Sequence, residues 1–334
     1  MSINNTRNIE VSVLMLTYNQ ARYVDDALSS VLHQITDFDF EIVIGDDCST
    51  DSTIKHIQKW IAQYPQQIRL LSAEKNQGLL PNFIRTFNSC KGKYIAICEG
   101  DDYWIDKQKL QMQYDFLERH PQYSTCIHRV INFYEDNNTK SLSNGGQKAE
   151  NNLLDLARSN FITNVSAFFR ATRVNNLPEW FASVGTYDYA LHMLNAADGD
   201  IYYMSKPMAV YRKHSGAIWS KSKISSQLQL SMQVREPLMK HFRNNTEAYS
   251  ILKQAYLACY AALKKHYLAN NQLAEISILE QRITNVLPEV DTKELEQICS
   301  TTTKGASKTK SSVRKLLKSI RSVVSRLIPT PKPA

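Results

Sequence analysis

Cysteine is scarce in this chain of 334 residues: there are six, at positions 48, 90, 98, 126, 259 and 299, with no Cys-x-x-Cys pair and no zinc-finger spacing. That excludes a disulfide framework and a structural zinc site built on them. No apolar run approaches the roughly 18 residues that a membrane-spanning helix needs. The N-terminus, MSINNTRNIE, has no basic stretch leading into an apolar one, so it does not read as a secretory leader. Reduced thiols without leader or span predict a cytoplasmic protein. No internal repeat stands out, and no Ser-His-Asp or Cys-His signature of nucleophilic catalysis is visible. Acidic residues are missing after Glu296, where nine Lys and Arg occur, and that region accounts for all of the net charge of +8. The rest holds 31 basic against 32 acidic residues. A body so nearly neutral carries no electrostatic footprint for nucleic acid.

What is present has a clear rhythm. From residue 10 to about 98, short β-rich runs (VSVLML, FEIVIG, IRLLS, YIAIC) alternate with helix-like segments (ARYVDDALSSVLHQ, STIKHIQKWIAQY, PNFIRTFNSC). Such alternation predicts β-α units around a largely parallel sheet. A polar, Gly-containing stretch over about 132–150 predicts an exposed, mobile loop. Beyond it, FITNVSAFFR and IYYMSKPMAVYRKH read as strands with TYDYALHMLNAA as a helix between them, and about 220–298 reads as helical. The expected division is 1–219 for the α/β domain, 220–300 for a helical accessory region and 301–334 for a basic tail.

In open sheets of this type, ligands bind outside the carboxyl ends of the strands. Every polar cluster falls at such an end: Thr17, Tyr18 and Asn19 after the first strand, Asp46 and Asp47 after the second, Asn76 to Gly78 after the third, and Glu99, Asp101 and Asp102 after the fourth. Asp51 or Ser52 fits a helix cap, which leaves Asp46 and Asp47 unexplained. Three carboxylates within four positions repel one another, and burying them costs several kcal/mol unless they are paired or hold a metal. A hard divalent cation, Mg2+ or Mn2+, is the economical partner, since it takes oxygen ligands and is commonly held by one or two protein carboxylates together with phosphate oxygens. The plainer alternative is that one of these acids caps the helix beginning near Asp106.

The ordered series VSVLMLTYNQ, EIVIGDDCSTDST, NQG, GKYIAICEGDDYWIDKQKLQMQYDFL, TYDYALHML and MAVYRKHSGAIWS closely resembles the family 2 glycosyltransferases, inverting enzymes with the GT-A fold. The likeness runs from residue 10 to about 220. It implies a mixed, mainly parallel sheet and transfer of a sugar from a nucleoside-diphosphate donor. On the matching positions, Tyr18, Asn19 and Asp47, with Asp46 beside them, correspond to residues that cradle the base and ribose. Asp102 corresponds to the metal ligand and Asp101 to a ribose or metal-water contact. Glu99 stands where many relatives have Asp. Asp188 corresponds to the catalytic base and His214 to a histidine near the metal and diphosphate; Gly216-Ala217 replaces a frequent Gly-Gly. Tyr103 and Trp104 either help close the donor pocket or pack in the core, and Trp104 and Ser166 are acceptor-side candidates. Read without the resemblance, Asp188 is also an acid at a helix start, and His214 an ordinary partly buried histidine.

In the tail, Val313, Leu316, Leu317, Ile320, Val323, Val324, Leu327 and Ile328 recur at helical spacing with basic residues on the other faces. This predicts an amphipathic helix over about 308–328, ended by Pro329 and suited to an anionic membrane surface; packing on the protein body is the alternative. An acceptor glycan on a lipid carrier or lipopolysaccharide core would fit a protein peripheral at the inner face of the cytoplasmic membrane. Two other functions remain to be separated. A sugar nucleotidylyltransferase typically shows a Gly-rich loop with Arg and Lys after its first strand, where this chain reads TYNQARYV. A non-catalytic, membrane-docked nucleotide-sugar sensor would need Asp47 and Asp102 but not Asp188.

Overall fold

The structure, a computed structural model, describes residues 8–143, 145–215, 223–291, 293 and 295. Three β-α units open the chain: β1 (Ile9–Thr17), α1 (Val24–Leu32), β2 (Asp39–Asp46), α2 (Thr53–Gln63), β3 (Ile68–Ser72) and α3 (Leu79–Asn88), followed by β4 (Tyr94–Ile97). All four strands are parallel, in the order β3-β2-β1-β4. Strand β1 is buried without alternation from Val11 to Thr17, as a strand covered on both faces must be. Helix α1 buries Val24, Ala27, Leu28 and Val31, one stripe at helical spacing. Gly45 in β2 lets α3 come close: a Cβ there would stand 1.8 Å from Thr86 Oγ1.

The sheet continues through β5 (Tyr103–Trp104), β6 (Tyr123–Tyr134), β7 (Thr139–Leu142), β8 (Glu150–Asn151), β9 (Phe168–Arg170) and β10 (Asp200–Lys213), with α4 (Lys109–Arg119), α5 (Leu153–Arg158) and α6 (Tyr187–Asp198) between them. The strand order is β3-β2-β1-β4-β9-β6-β10-β5, with β7 on β6 and β8 on β10. Strand β9 runs antiparallel to both neighbours, whereas β6 and β10 are parallel. The sheet is therefore mixed and mainly parallel, as expected.

Two local expectations are corrected. The stretch after residue 132 is not an irregular loop at its start: β6 and β7 form an antiparallel hairpin, turned by a short 3-10 segment and by Asn138 at φ 51°, a left-handed value that asparagine tolerates better than most residues. FITNVSAFFR is a strand only over Phe168–Arg170, because Ser166 folds back, its amide and its hydroxyl both donating to Thr163 O. Such local side-chain bonding competes with a sheet ladder.

Two compact units result. One comprises the described residues of Met1–Leu153, Phe161–Ser183 and Tyr187–Ser220, and the other those of Leu154–Asn160, Val184–Thr186 and Lys221–Ala334. The second is dominated by the helices Ile224–His241, Thr246–Ala269 and Leu273–Val286. Asn245 caps the middle helix by accepting from Ala248 N at 3.0 Å. Glu236 joins all three, accepting from Tyr256 Oη at 2.9 Å and from Arg282 Nε at 2.6 Å. Among the described residues no helix is long and apolar enough to cross a membrane.

Candidate active site

Strand β4 ends in the acidic turn. The amides of Cys98 and Gly100 donate to Leu14 O and Leu16 O, each at 3.1 Å, so the turn is laid along the end of β1. Gly100 is required for that approach: a Cβ would lie 2.3 Å from Gln20 Oε1 and 2.7 Å from Thr17 Cγ2. Glu99, Asp101 and Asp102 thereby offer carboxylate oxygens within 4.8 Å of one another. Asp102 is completely buried. Its Oδ1 accepts from Arg212 N at 2.9 Å, while its Oδ2 is buried with no hydrogen-bond partner among the described residues. Burial, then the charges of Asp101 and Glu99, push the Asp102 carboxyl well above the usual range. Burial and Asp101 likewise raise Glu99 to about 7. An orphaned buried carboxylate oxygen among two further acids is what an oxygen-ligated Mg2+ or Mn2+ site requires, and these residues fit such an ion.

A second layer holds the turn. Glu99 Oε1 accepts from Asn164 Nδ2 at 3.1 Å and from the Tyr187 hydroxyl. Asn164 also donates to Tyr187 Oη at 2.7 Å and accepts at Oδ1 from His192 Nε2 at 3.1 Å. Burial lowers the His192 pKa to about 3, so the ring is neutral, with its proton on Nε2. Phe83 stacks on the Tyr187 ring at 4.0 Å. Since Tyr187 opens α6, the network ties the acidic turn to the helix that carries Asp188. Asp188, in the first turn of that helix, is close enough for its charge to raise the Glu99 carboxyl further. On the other side, His214 Nε2 lies 3.0 Å from Asp101 Oδ2, with its ring centroid 4.6 Å from that of Tyr23.

The remaining clusters meet at the ends of β1 and β2, where Thr17 and Asp46 are register partners. Asp46 is wholly buried. It accepts from Thr17 Oγ1 at 2.8 Å, Ser49 Oγ at 2.6 Å and Ser49 N at 2.8 Å. These two residues, expected beside the donor, brace the loop from inside. Asp47 receives the amides of Gln77 at 2.7 Å and Gly78 at 2.9 Å, and Asn76 Oδ1 accepts from Gly78 N at 3.1 Å. Gly78, at φ 90°, then enters α3. Asn19 sits at φ 53° and takes the Thr50 amide on Oδ1 at 2.8 Å. Tyr18, beside Asn19, is 47% exposed, and Asn19 and Asn76 are exposed with it.

Both acceptor-side candidates are corrected. Ser166 is 1% exposed and donates its hydroxyl inward to Thr163 O at 2.6 Å. Trp104 belongs to the hydrophobic core, with Lys109 Nζ 4.0 Å from its ring centroid. Gly216 and Ala217 lie outside the described residues. Sequence reasoning passed over Arg212, Tyr187, Asn164 and His192. Arg212 stands inside the quoted motif MAVYRKHSGAIWS, and Tyr187 and His192 inside TYDYALHML, so the signal was a buried polar neighbour of each motif residue.

Comparison with known proteins agrees with this arrangement. The Glycosyl transferase family 2 pattern matches residues 12–179. An uncharacterized protein of Mycobacterium tuberculosis is 36% identical over 211 residues, 63% of this chain and 60% of that protein, so the match spans about three-fifths of the relative's length. The crystal structure of Staphylococcus aureus TarS 1–349 in complex with UDP-GlcNAc superposes with a TM-score of 0.55 at 17% identity, covering 83% of this chain and 92% of that one. The mannosyltransferase PcManGT from Pyrobaculum calidifontis, in complex with GDP-Man and Mn2+, does so with a TM-score of 0.53 at 17% identity, covering 90% and 87%. With half of the sequence matched, an acidic turn at the carboxyl end of a parallel strand and the architecture of known glycosyltransferases, the chain belongs to glycosyl transferase family 2.

Proposed function

We propose that this chain is an inverting glycosyltransferase. It moves a sugar from a nucleoside-diphosphate donor, a uridine diphosphate sugar before a thymidine diphosphate sugar, to a hydroxyl of a glycan or lipid-linked acceptor in surface-polysaccharide assembly, of which lipopolysaccharide, O-antigen and capsule are examples. One observation carries the reading: Asp102 is fully buried with one oxygen unpartnered, beside Glu99 and Asp101. A Mn2+ or Mg2+ ion held by Asp102, with Asp101 and His214 beside it, would supply neutralisation of the charge that develops on a departing diphosphate. The ligands named for the neighbouring structures support the donor class: UDP-GlcNAc for TarS, a poly(ribitol-phosphate) β-N-acetylglucosaminyltransferase, and GDP-Man with Mn2+ for PcManGT.

The protein's own groups divide the remaining work. Tyr18 offers an exposed ring for the nucleotide, beside the loops that Asp47 and Asn19 hold. Asp188 takes the proton of the acceptor hydroxyl as its oxygen bonds to the anomeric carbon, a contribution of about 10² to 10⁴ in rate. The bond from that carbon to the diphosphate oxygen breaks on the opposite face, and the electron pair leaves with the diphosphate. One displacement inverts the anomeric centre without a covalent glycosyl-enzyme. The basic tail, whose residues 308–328 lie outside the described residues, would bring this cytoplasmic site to an anionic membrane surface and its lipid-linked acceptors.

The test is a screen of nucleotide sugars for thermal stabilisation in Mn2+, since a ligand of the native state raises apparent stability, followed by transfer assays on the hit. Asp188→Asn should keep donor-induced stabilisation within about twofold in affinity and lose about 10² to 10⁴ in turnover. Undiminished transfer by this variant would remove Asp188 from its role. A wild-type protein that binds no nucleotide sugar in Mn2+ would defeat the proposal as a whole.

A further inference from the structure

Arg212 makes more structural contacts around the acidic turn than its motif position suggests. It is 8% exposed, near the end of β10. Its amide donates to Asp102 Oδ1 at 2.9 Å, and its Nε donates to Asp101 O at 2.9 Å. The guanidinium carbon lies 4.9 Å from the ring centroids of both Tyr23 and Tyr103. Its Nη2 donates to Asp26 Oδ2 at 3.0 Å, and its Nη1 stands 3.6 Å from Glu135 Oε1. Tyr23 closes the arrangement, donating its hydroxyl to Glu135 Oε2 at 2.8 Å while packing against His214.

We propose that Arg212 is the positioning residue of the cation site. It fixes which Asp102 oxygen is spent on the protein and which is left for the ion. A carboxylate free to rotate would offer either oxygen. The Arg212 amide holds Oδ1, and the side chain secures that amide by pinning the turn through Asp101 O and β10 to α1 through Asp26, with Tyr23 and Tyr103 beside the guanidinium. The positive charge is not itself the device, because a cation beside a cation site is repulsive. Asp26 and Glu135 pair the guanidinium, so its charge is met by them while its planar fork sets geometry. An ammonium cannot reproduce that fork. This inference rests on the cation reading of Asp102 but not on the identity of the transferred sugar.

Mn2+ binding to the full chain, followed by the electron paramagnetic resonance of free Mn2+ without any sugar nucleotide, is the primary readout. Arg212→Lys and Arg212→Gln should both lose about tenfold or more in Mn2+ affinity, the usual cost of removing an outer partner of a metal ligand. Circular dichroism should report a folded protein in each case. In transfer assays the Mn2+ concentration for half-maximal rate should rise in parallel, while KM for donor at saturating Mn2+ changes less than twofold. Rescue by Lys to wild-type affinity would show that charge alone matters and would overturn the inference. Should the Arg212 variants fail to fold, the pair Asp26→Asn with Glu135→Gln decides the matter: it loosens the guanidinium while keeping Arg212, and unchanged Mn2+ affinity would overturn the inference equally. A wild-type chain that binds Mn2+ but no nucleotide sugar defeats the proposed function and leaves this test intact; a wild-type chain that binds no Mn2+ defeats the inference.

Discussion

Glu99 is where a single residue shows how the site is tuned. Its carboxylate reaches the Tyr187 hydroxyl and Asn164 Nδ2, the latter at 3.1 Å. A hydrogen bond to a buried charged group contributes about 1.5 to 3 kcal/mol. Tyr187→Phe keeps the stack on Phe83 and removes the hydroxyl that donates to Glu99 and accepts from Asn164, so it should destabilise the protein by about 1 to 2 kcal/mol in urea unfolding. In a Glu99→Gln background the same substitution should cost less by 0.5 kcal/mol or more, on the order of the coupling expected for groups in contact. Strict additivity across the four proteins of the cycle would show that this contact is not made. The sequence identifies Glu99 as one of a crowd of acids, yet its partners are 65 and 88 residues away. A contact at that separation is created by the fold, and no local spacing foretells it.

Helix α4 presents an unexpected residue to the core. Its buried face is Lys109, Leu110, Gln113 and Leu117, and Lys109 is wholly buried, donating to Gln113 Oε1 at 2.8 Å over the Trp104 ring. Burial lowers its pKa from 10.5 to about 7. Between about pH 7 and 10 the unfolded chain therefore binds a proton that the folded chain does not, and stability from this group rises with pH by up to about 1.4 kcal/mol per unit. Below pH 7 the folded protein carries the full penalty of a buried ammonium. Lys109→Met removes that titration. Its advantage over the wild type should be largest at pH 6 and shrink steadily to pH 9, even though Gln113 Oε1 loses a donor. Parallel stability curves for the two proteins from urea unfolding at pH 6, 7, 8 and 9 would refute the assignment. Elements such as α4, β1 and β2 were legible because a continuous buried run or a helical stripe is written into the residues themselves. Strands β5 and β8, of two residues each, were not, since so short a strand exists only through its neighbours, and β9 was read as a strand but too long. For the same reason Trp104 and Ser166 read as ligand contacts from their motif positions, whereas the strand and turn that carry them point inward.

Across the whole molecule, charge is divided by position: the sequence through Glu296 is close to neutral, whereas the following segment contains nine basic residues and no acid. Residues 308–328, outside the described part of the structure, include seven of those basic residues alongside the apolar series Val313 to Ile328. If the segment meets an anionic bilayer, each Lys or Arg near the surface contributes about 1 kcal/mol, added to apolar burial. The full chain should therefore sediment with phosphatidylglycerol vesicles, and a chain ending at residue 300 should stay in solution with them. Neither should sediment to that extent with phosphatidylcholine alone. Raising salt from about 0.1 to 1 M shortens the screening length from about 10 to 3 Å and should release most of the bound full chain, leaving the part held by apolar contact. Because the body has almost no net charge of its own to attract lipid, equal sedimentation of the two chains would assign attachment to an apolar surface of the body and withdraw the tail from that role. With transfer to a soluble acceptor measured on the same two proteins, equal rates alongside unequal sedimentation would separate the transfer step from attachment to the membrane.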